Sequence, residues 1–389
     1  MTDNKYQKET RLVRSGMDPW DNEGIPNPPV YHASTILKQS NTEHLESKSK
    51  YDYGRTGTPT SNSLQIALAE LYGMDGSVLT SSGLAAITTA TLAFVSSGAH
   101  LLASDSIYQS GRRYLTETLP KFGVEVEFFP PRITPQELKK LIRPETALIH
   151  FESPGSMTFE LHDLPALTAV ARSAGVPTML DNTWATALGL DCVEMGVDVV
   201  VEALTKYIGG HSDLMMGAIV ANGPFLDKVK YEAFQLGQCS GPDDIYLATR
   251  GLRSLHLRLD RSMQSSLQIA EWLSEQPEVS TVIHPARKDH PDHMIYQRDF
   301  KGGAGLFCFE LKNQPQHSID RLIDSLELFG IGSSWGGFES LIQQGQINEH
   351  RSFDYPIGPL IRVAVGAENP DDLINDLKQA FDAIREKSA

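Results

Sequence analysis

Between about residue 63 and residue 250, short apolar runs alternate with segments whose apolar residues repeat at helical spacing. The short runs have the length and composition of buried strands, and the longer segments have the period of helices packed on a sheet. We predict strands at 77–80, 101–103, 124–129, 147–151, 177–180 and 197–201, and helices at 63–71, 84–95, 111–122, 135–141 and 164–173. Such alternation produces right-handed crossovers, so the sequence predicts an α/β domain with a mostly parallel sheet flanked by helices.

The last third of the chain has a different pattern. Predicted strands at 279–284, 305–311 and 360–365 have helices before, between and after them. The final helix is well marked, because Asn369 can cap it and Pro370 suits its first position. One apolar stripe runs along this helix, formed by Leu373, Ile374, Leu377, Phe381 and Ile384. These features predict a smaller C-terminal α+β domain.

The first part of the chain shows neither pattern. Prolines cluster between residues 26 and 29, and polar residues dominate from 38 to 50. This composition favours an extended N-terminal arm, with disorder as the alternative. A chain of 389 residues is long enough for two domains. The predicted division is an arm at 1–58, a large domain at 59–251 and a small domain at 252–389.

Composition and charge narrow the partners and the compartment. Hydrophobic residues make up 40% of the chain, which is typical of a folded protein, and the formal net charge is -15. That charge repels phosphate backbones and anionic lipids, so we expect neither nucleic acid nor membrane as a partner. The N-terminus lacks the order of a signal peptide, and no apolar run approaches a membrane span. The scattered cysteines, Cys192, Cys239 and Cys308, indicate a reducing, cytoplasmic location.

Several familiar motifs are absent or weak. The sequence contains no Walker-type phosphate loop and no glycine-rich dinucleotide loop after a strand. Residues 237–241 resemble a nucleophile elbow centred on Cys239, but no predicted strand leads into them. A metal site is an alternative for a group of histidines and aspartates near residue 290, although the neighbouring prolines favour a solvated loop. That group comprises His284, Asp289, His290, Asp292 and His293.

Three features of the predicted large domain suit the binding of a phosphorylated cofactor. Residues 81–86, which include Gly83 and Leu84, follow a predicted strand and open a helix, where free backbone N–H groups can bind phosphate. Asp181 ends another predicted strand and can keep a pyridine nitrogen protonated. Each feature alone has an ordinary explanation, namely a tight turn for the first and a helix cap for the second.

Lys206 is the third feature. It follows the predicted strand at 197–201, among residues of little charge, where desolvation would lower its pKa toward the value that a Schiff-base amine needs. Thr205 beside it offers a hydroxyl group for phosphate. An isolated lysine is usually a solvated surface residue. The order of phosphate turn, strand-end aspartate and strand-end lysine favours a pyridoxal-phosphate site instead.

The run at 198–212, Asp-Val-Val-Val-Glu-Ala-Leu-Thr-Lys-Tyr-Ile-Gly-Gly-His-Ser, resembles the lysine signature of the Cys/Met-metabolism family of pyridoxal-phosphate-dependent enzymes. Resemblance extends over nearly the whole chain and implies fold type I, with a seven-stranded large sheet. It implies that pyridoxal 5'-phosphate forms a Schiff base with Lys206. The cofactor-binding set that it implies is Tyr53, Arg55, Gly83, Leu84, Tyr108, Asp181, Thr205 and Lys206.

The same resemblance implies roles for residues outside the lysine signature. Tyr108 would stack on the cofactor ring and act in catalysis together with Lys206. Tyr53 and Arg55 would reach the cofactor phosphate of a neighbouring subunit, so the family suggests a homotetramer with shared sites. The implied substrate-binding set is Tyr53, Ser334, Trp335 and Arg362, with the Arg362 guanidinium gripping the α-carboxylate.

Trp184, Trp335 and Ala203 resemble the β-eliminating branch of the family, although ordinary packing would also explain both tryptophans. This resemblance implies β-elimination of L-cystathionine to homocysteine, pyruvate and ammonia. Phe234 departs from the tyrosine of some bacterial β-eliminating members, which puts a hydrogen bond from that hydroxyl group in doubt. The alternatives are the γ-lyase, γ-synthase and methionine γ-lyase reactions and, in another class, a non-catalytic binding or regulatory relative.

Overall fold

A computed structural model of the chain describes residues 6–46, 49–312, 314–345, 347, 351–353 and 358–385. Two sheets organise these residues. The strands of the larger sheet are β1 (Gly76–Thr80), β2 (His100–Ser104), β3 (Glu125–Phe129), β4 (Thr146–Glu152), β5 (Thr178–Asp181), β6 (Val199–Glu202) and β7 (Gly217–Ala221). Those of the smaller sheet are β8 (Val279–Ile283), β9 (Leu306–Leu311), β10 (Gly330–Ile331), β11 (Leu341–Gly345) and β12 (Leu360–Ala364).

Helices connect and cover the strands. In the first half they are α1 (Lys8–Arg14), α2 (Asn41–Glu46), α3 (Pro59–Tyr72), α4 (Gly83–Leu92), α5 (Gln109–Arg113), α6 (Pro135–Leu141) and α7 (Leu164–Ser173). In the second half they are α8 (Thr186–Gly189), α9 (Gly223–Gln235), α10 (Pro242–Arg253), α11 (Leu255–Ser274), α12 (His293–Asp299), α13 (Gln316–Asp324) and α14 (Pro370–Arg385). None of the helices among the described residues is both long enough and apolar enough to span a membrane.

The larger sheet has seven strands in the order β1-β7-β6-β5-β4-β2-β3. Strands β2 to β6 pair in parallel, whereas β7 is antiparallel to both β1 and β6. The predicted mostly parallel α/β sheet is therefore confirmed. Strand β7 escaped prediction because antiparallel neighbours need no crossover helix, so the strand–helix alternation stops there.

Side chains from the two faces of the larger sheet enter separate apolar clusters. Leu180 and Val200 point into one cluster, together with Tyr72 at the end of α3. Met179, Val199 and Val201 point into the other, which α4 covers. Because side chains alternate along a strand, Asp181 at the end of β5 points to the same face as Met179, and Glu202 at the end of β6 points to the same face as Val200.

Two predicted segments differ from the structure. The continuous helix expected at 111–122 is replaced by α5, a π-helical turn at Tyr114–Thr118 and a 3-10 turn at Leu119–Phe122. Pro120 lies in this last turn and cannot continue a ladder of helical hydrogen bonds. The N-terminal arm is not extended throughout, because it contains α1 and α2, and Leu12 of α1 is buried.

The smaller sheet has five strands in the order β10-β11-β12-β9-β8. Helix α14 packs with it and starts as predicted, with Asn369 Oδ1 accepting from the Asp371 backbone N–H at 2.9 Å. Helix α10 ends at Arg253 and α11 begins at Leu255, close to the boundary proposed between 251 and 252. The division at 58 and 251 remains a proposal.

Candidate active site

The carboxyl ends of β4, β5 and β6 meet at one edge of the larger sheet. Glu152 is paired in register with Asp181, and Asp181 with Val201. Lys206 follows in the loop that leaves β6. Parallel strands place their carboxyl ends side by side, which is where open α/β sheets bind ligands.

The Lys206 side chain is largely withdrawn from solvent and points at the loop between β10 and β11. Its Nζ donates to Ser334 Oγ at 2.7 Å. Burial is the main reason that the pKa of Lys206 falls to about 8, with positive Arg362 adding to the effect and Asp181 opposing it. An amine with this pKa has a substantial neutral fraction near neutral pH, as a nucleophilic amine requires.

Arg258 holds the loop that carries the lysine. This residue of α11 donates from Nη1 to the Tyr207 carbonyl at 2.7 Å and from Nη2 to the Gly251 carbonyl at 2.7 Å. Sequence reasoning missed Arg258, since an arginine within a helix carries no signal of its distant partners. Its contacts make the position of the Lys206 backbone depend on helix packing.

The loop between β10 and β11 of the smaller sheet lies over the lysine. The Trp335 ring centroid lies 5.2 Å from Lys206 Nζ and 5.5 Å from the Tyr207 ring centroid. Gly336 has φ +81°, and a Cβ there would lie 2.9 Å from the Tyr207 backbone nitrogen. Glycine is therefore needed for the loop to come this close.

Arg362 in β12 supports the same loop from behind. Its Nη2 donates to the carbonyl oxygens of Ser333 at 2.8 Å and Ser334 at 3.1 Å. Burial lowers the pKa of Arg362, but a guanidinium group stays charged at neutral pH. Among the described residues these hydrogen bonds use one guanidinium nitrogen, which leaves other donors of the same cation for an anionic group.

The turn that opens α4 has the expected form. Ser82 caps the helix, with its Oγ accepting from the Ala85 N–H at 3.1 Å. A Cβ on Gly83 would lie 2.5 Å from the Ala203 Cβ, so the turn packs directly against the end of β6. The N–H groups of Gly83 and Leu84 lie at the positive end of the helix, which suits an anion.

Thr205 has partners of its own in this structure. Its hydroxyl group donates to the Met216 carbonyl at 3.1 Å and accepts from the Met216 N–H at 3.0 Å. To donate to a phosphate group, the Thr205 hydroxyl would have to give up its hydrogen bond to the Met216 carbonyl. The assignment of Thr205 to the cofactor phosphate stays a prediction.

Asp181 is held as a hydrogen-bond acceptor. Its Oδ1 accepts from the Thr183 backbone N–H at 3.0 Å and from the Thr183 hydroxyl at 2.6 Å. Burial raises the pKa of Asp181, while the two Thr183 bonds and Lys206 oppose that rise. Tyr108, which is half-exposed, donates its backbone N–H to the neighbouring carboxyl of Glu152.

Tyr53 and Arg55 lie on the arm, and Arg55 contacts helix α9. The Arg55 guanidinium donates to the Phe234 carbonyl at 3.1 Å and lies 4.7 Å from the Phe234 ring centroid. Tyr53 is 47% exposed. Among the contacts of the described residues, none joins Tyr53 or Arg55 to Lys206.

The two tryptophans have different surroundings. Trp184 is 6% exposed and donates Nε1–H to the Leu306 carbonyl at 3.0 Å. It packs in the core, as the packing alternative foresaw, whereas Trp335 lies beside Lys206.

The group near residue 290 and the segment at 237–241 have structural surroundings of their own. The segment near residue 290 is not the solvated loop expected, since His284 and His290 are buried. Each accepts a backbone hydrogen bond, and Asp292 is paired with Arg132. Within the described parts of the chain, the group with metal-binding geometry is elsewhere, at His100, Glu125 and Glu127, and Arg143 already pairs with both glutamates. Cys239 follows helix α9, so no strand forms a nucleophile elbow.

These groups are suited to a phosphorylated pyridine aldehyde. Lys206 offers an amine for the aldehyde, Asp181 a carboxylate for the ring nitrogen, and the α4 N-terminus a cradle for phosphate. Pyridoxal 5'-phosphate has all three groups, and the residues present fit it.

Comparison with known proteins gives the family. The model of the family described as Cys/Met metabolism PLP-dependent enzyme matches residues 9–382, and the chain belongs to this family. A "Putative cystathionine beta-lyase" of Rhizobium johnstonii is 43% identical over 380 residues, which covers 96% of each chain. "Cystathionine beta-lyase MetC" of Escherichia coli is 38% identical, covering 99% of this chain and 100% of the relative.

Two further similarities broaden the comparison. An "L-alanine/L-glutamate racemase" of Wolbachia pipientis is 38% identical, covering 96% of this chain and 97% of the relative. The crystal structure of metB from Corynebacterium glutamicum superposes with a TM-score of 0.91 at 28% identity, covering 97% of this chain and 98% of that chain. The fold and the dependence on pyridoxal 5'-phosphate are thus those of the family.

Proposed function

We propose that this enzyme cleaves the β carbon–sulfur bond of L-cystathionine and yields homocysteine, pyruvate and ammonia. The observation that carries the proposal is the meeting of Lys206, Ser334, Trp335 and Arg362. A base of lowered pKa and a carboxylate-binding cation act there on one amino acid. The names of the relatives from Rhizobium johnstonii and Escherichia coli support the β-elimination branch.

The cofactor would be held by three groups of this chain. The Gly83 and Leu84 N–H groups would bind its phosphate, the Lys206 amine would bind its aldehyde group, and the Asp181 carboxylate would accept from its ring nitrogen. When bound, pyridoxal 5'-phosphate supplies a ring that withdraws electrons from the substrate Cα. Thr183 fixes the orientation of the Asp181 carboxylate with two hydrogen bonds.

The side chains then divide the work on the substrate. Arg362 binds the α-carboxylate and so fixes the orientation of the Cα–H bond. Lys206, once free and neutral, accepts the Cα proton at Nζ, and Ser334 holds that amine in place. The departing thiolate takes a proton from Lys206 or Tyr108. Trp335 excludes water from the amine.

We also propose a cytoplasmic homotetramer in which sites are shared between chains. Arg55 contacts Phe234, and the described contacts join neither Arg55 nor Tyr53 to Lys206 of their own chain, as expected for residues that serve a neighbour. The arm carries large exposed apolar residues that a second copy would cover, among them Trp20, Leu37 and Leu45. Sedimentation of a fully active monomer would contradict this assembly.

Two other functions need separate tests. The γ-elimination reactions belong to the same family and would give 2-oxobutyrate in place of pyruvate. The similarity to the racemase of Wolbachia pipientis makes racemisation a second candidate. A substrate without a leaving group at Cβ can only regain a proton at Cα after losing one. Loss of optical rotation with L-alanine would reveal it.

The deciding experiment is a keto-acid assay with L-cystathionine and cofactor-loaded protein. Pyruvate in equal amount to homocysteine supports the proposal. 2-Oxobutyrate with cysteine would move the enzyme to the γ-lyase branch. Cofactor binding without either product would favour the non-catalytic relative.

A further inference from the structure

A second group of titratable side chains lies beneath the proposed site, on the other face of the sheet. Glu202 ends β6, directly after Val201, which is paired with Asp181. Since Val201 points into the cluster covered by α4, Glu202 points to the opposite face. There the Tyr72 hydroxyl, at the end of α3, donates to Glu202 Oε2. Asp181 and Glu202 therefore lie on opposite faces of the sheet, at the same edge.

Glu202 is buried among groups that do not neutralise it. It is 2% exposed, and its hydrogen-bond partner Tyr72 is 4% exposed. Its other ionisable neighbours are Asp181 on β5 and Cys192 after α8, and both are acids. Two cations act on its neighbours: Lys8 of α1, which donates to a backbone carbonyl, acts on Cys192, and Lys206 acts on Asp181. An unpaired buried carboxylate is costly, so the proton is retained.

Burial raises the pKa of Glu202 to about 8, against the Tyr72 hydrogen bond and with a further contribution from Asp181. The sign follows from these causes, since both a dry environment and a neighbouring carboxylate disfavour a second negative charge. Burial likewise raises the pKa of the Cys192 thiol, which stays neutral. Glu202 is then the member of this group that changes charge near neutral pH.

Asn182 connects this group to the strand end that carries Asp181. Its backbone N–H donates to the Val201 carbonyl at 3.0 Å. Its side-chain amide donates to the Tyr72 hydroxyl at 3.3 Å, while its buried Oδ1 has no partner among the described residues. Asn182 therefore links the pair Tyr72–Glu202 to Asp181, its neighbour in the chain. A substitution at Glu202 or Tyr72 can affect Asp181 through this residue.

We propose that Glu202, held by Tyr72 and Asn182, is a positioning residue that sets the charge behind Asp181 and so controls how firmly the cofactor keeps its protons. The proposal rests on the role proposed above for Asp181. An ionised Glu202 adds negative charge behind the site and favours the protonated, cationic form of the bound cofactor. A neutral Glu202 withdraws that support.

The test is a pH titration of the visible absorbance of cofactor-loaded protein, comparing wild type with Glu202→Gln. The amide is neutral at every pH. We therefore expect a lower pH at the midpoint of the absorbance change that accompanies loss of the proton from the bound cofactor. The expected decrease is on the order of 0.5–1 pH unit. Cys192→Ala is the matched control, since it removes a neighbour that stays neutral, and its midpoint should equal that of wild type. A Glu202→Gln protein that binds cofactor and titrates like wild type would overturn the proposal.

A second variant keeps the proposal testable if Glu202→Gln fails to fold. Tyr72→Phe removes the donor that stabilises ionised Glu202, so its midpoint should shift in the same direction. Infrared spectra at pH 7 give an independent readout. They should contain a band of a protonated carboxylic acid that Glu202→Gln lacks, and identical spectra would overturn the proposal. Neither measurement needs turnover, so failure of the keto-acid assay would remove the proposed reaction and leave this result standing.

Discussion

The sheet edge at residues 181–206 and the loop at 332–337 both reach the candidate site, but they are held there differently. Strand pairing fixes the backbone of Asp181, and Arg258 holds the loop after β6 that carries Lys206. The loop connects two strands of the smaller sheet and is positioned by Arg362 and by the close approach of Gly336. We infer that the edge provides the reactive groups and that the loop aligns the substrate with them. Substitutions at the sheet edge should abolish the reaction, and substitutions in the loop should lower its rate only partly.

Lys206→Ala gives the strongest test of this difference. Loss of the amine should lower kcat for pyruvate formation by about four to six orders of magnitude, because the base and the covalent anchor disappear together. Steady-state kinetics with L-cystathionine measures the change. Turnover within tenfold of wild type would remove Lys206 from the proposed role.

Arg362→Leu should come next. Removing the cation loses the proposed grip on the α-carboxylate and the support of the Ser333 and Ser334 carbonyls. We expect kcat/KM to fall by about 100- to 1,000-fold. Arg362→Lys is the matched control and should recover part of the loss, because it keeps the charge without the planar fork. Equal kinetics for both variants and wild type would contradict the role.

Gly336→Ala tests the loop without touching a reactive group. The new Cβ would push the loop away from Tyr207, so kcat/KM should fall by about tenfold or more. Gly98→Ala is the control, since Gly98 has φ +85° with nothing within 4 Å of its Cβ position. That variant should lose only about 1 kcal/mol of stability, with normal kinetics. Equal activity losses would show that positive φ, and not the contact, matters.

Substitutions of Trp184 and Trp335 should have smaller effects, and these effects should differ between the core and the loop. Trp184→Phe should lower the free energy of unfolding by about 2–3 kcal/mol, because it leaves a cavity and an unpaired Leu306 carbonyl. Trp335→Phe should leave stability nearly unchanged and raise KM. Urea denaturation and steady-state kinetics on both variants separate the effects. Reversed effects would exchange the two assignments.

The lowered pKa of Lys206 predicts how the protein takes up its cofactor. Schiff-base formation needs the neutral amine, so the loading rate of cofactor-free protein should rise with pH and level off above about 8. Absorbance after mixing with pyridoxal 5'-phosphate measures that rate. A rise that continues to the range of an exposed lysine would show that the amine is solvated.

Local patterns predicted much of the large domain. The strands expected at 77–80 and 177–180 appear as β1 and β5, shifted by a residue at most. Periodicity succeeds there because it reports which face of an element is buried. It failed at 111–122, where Pro120 and a π-helical turn interrupt a helical apolar pattern.

The sequence by itself determined the alternation that builds the sheet and the run at 198–212 that places Lys206 after β6. Only the tertiary structure decided which distant groups meet there. Ser334 lies 128 residues from Lys206 along the chain, and Tyr72 lies 130 residues from Glu202. It also separated Trp184 in the core from Trp335 at the site. The physical reason is that a residue's local pattern records whether it is buried, whereas its partner is chosen by how whole helices and sheets pack.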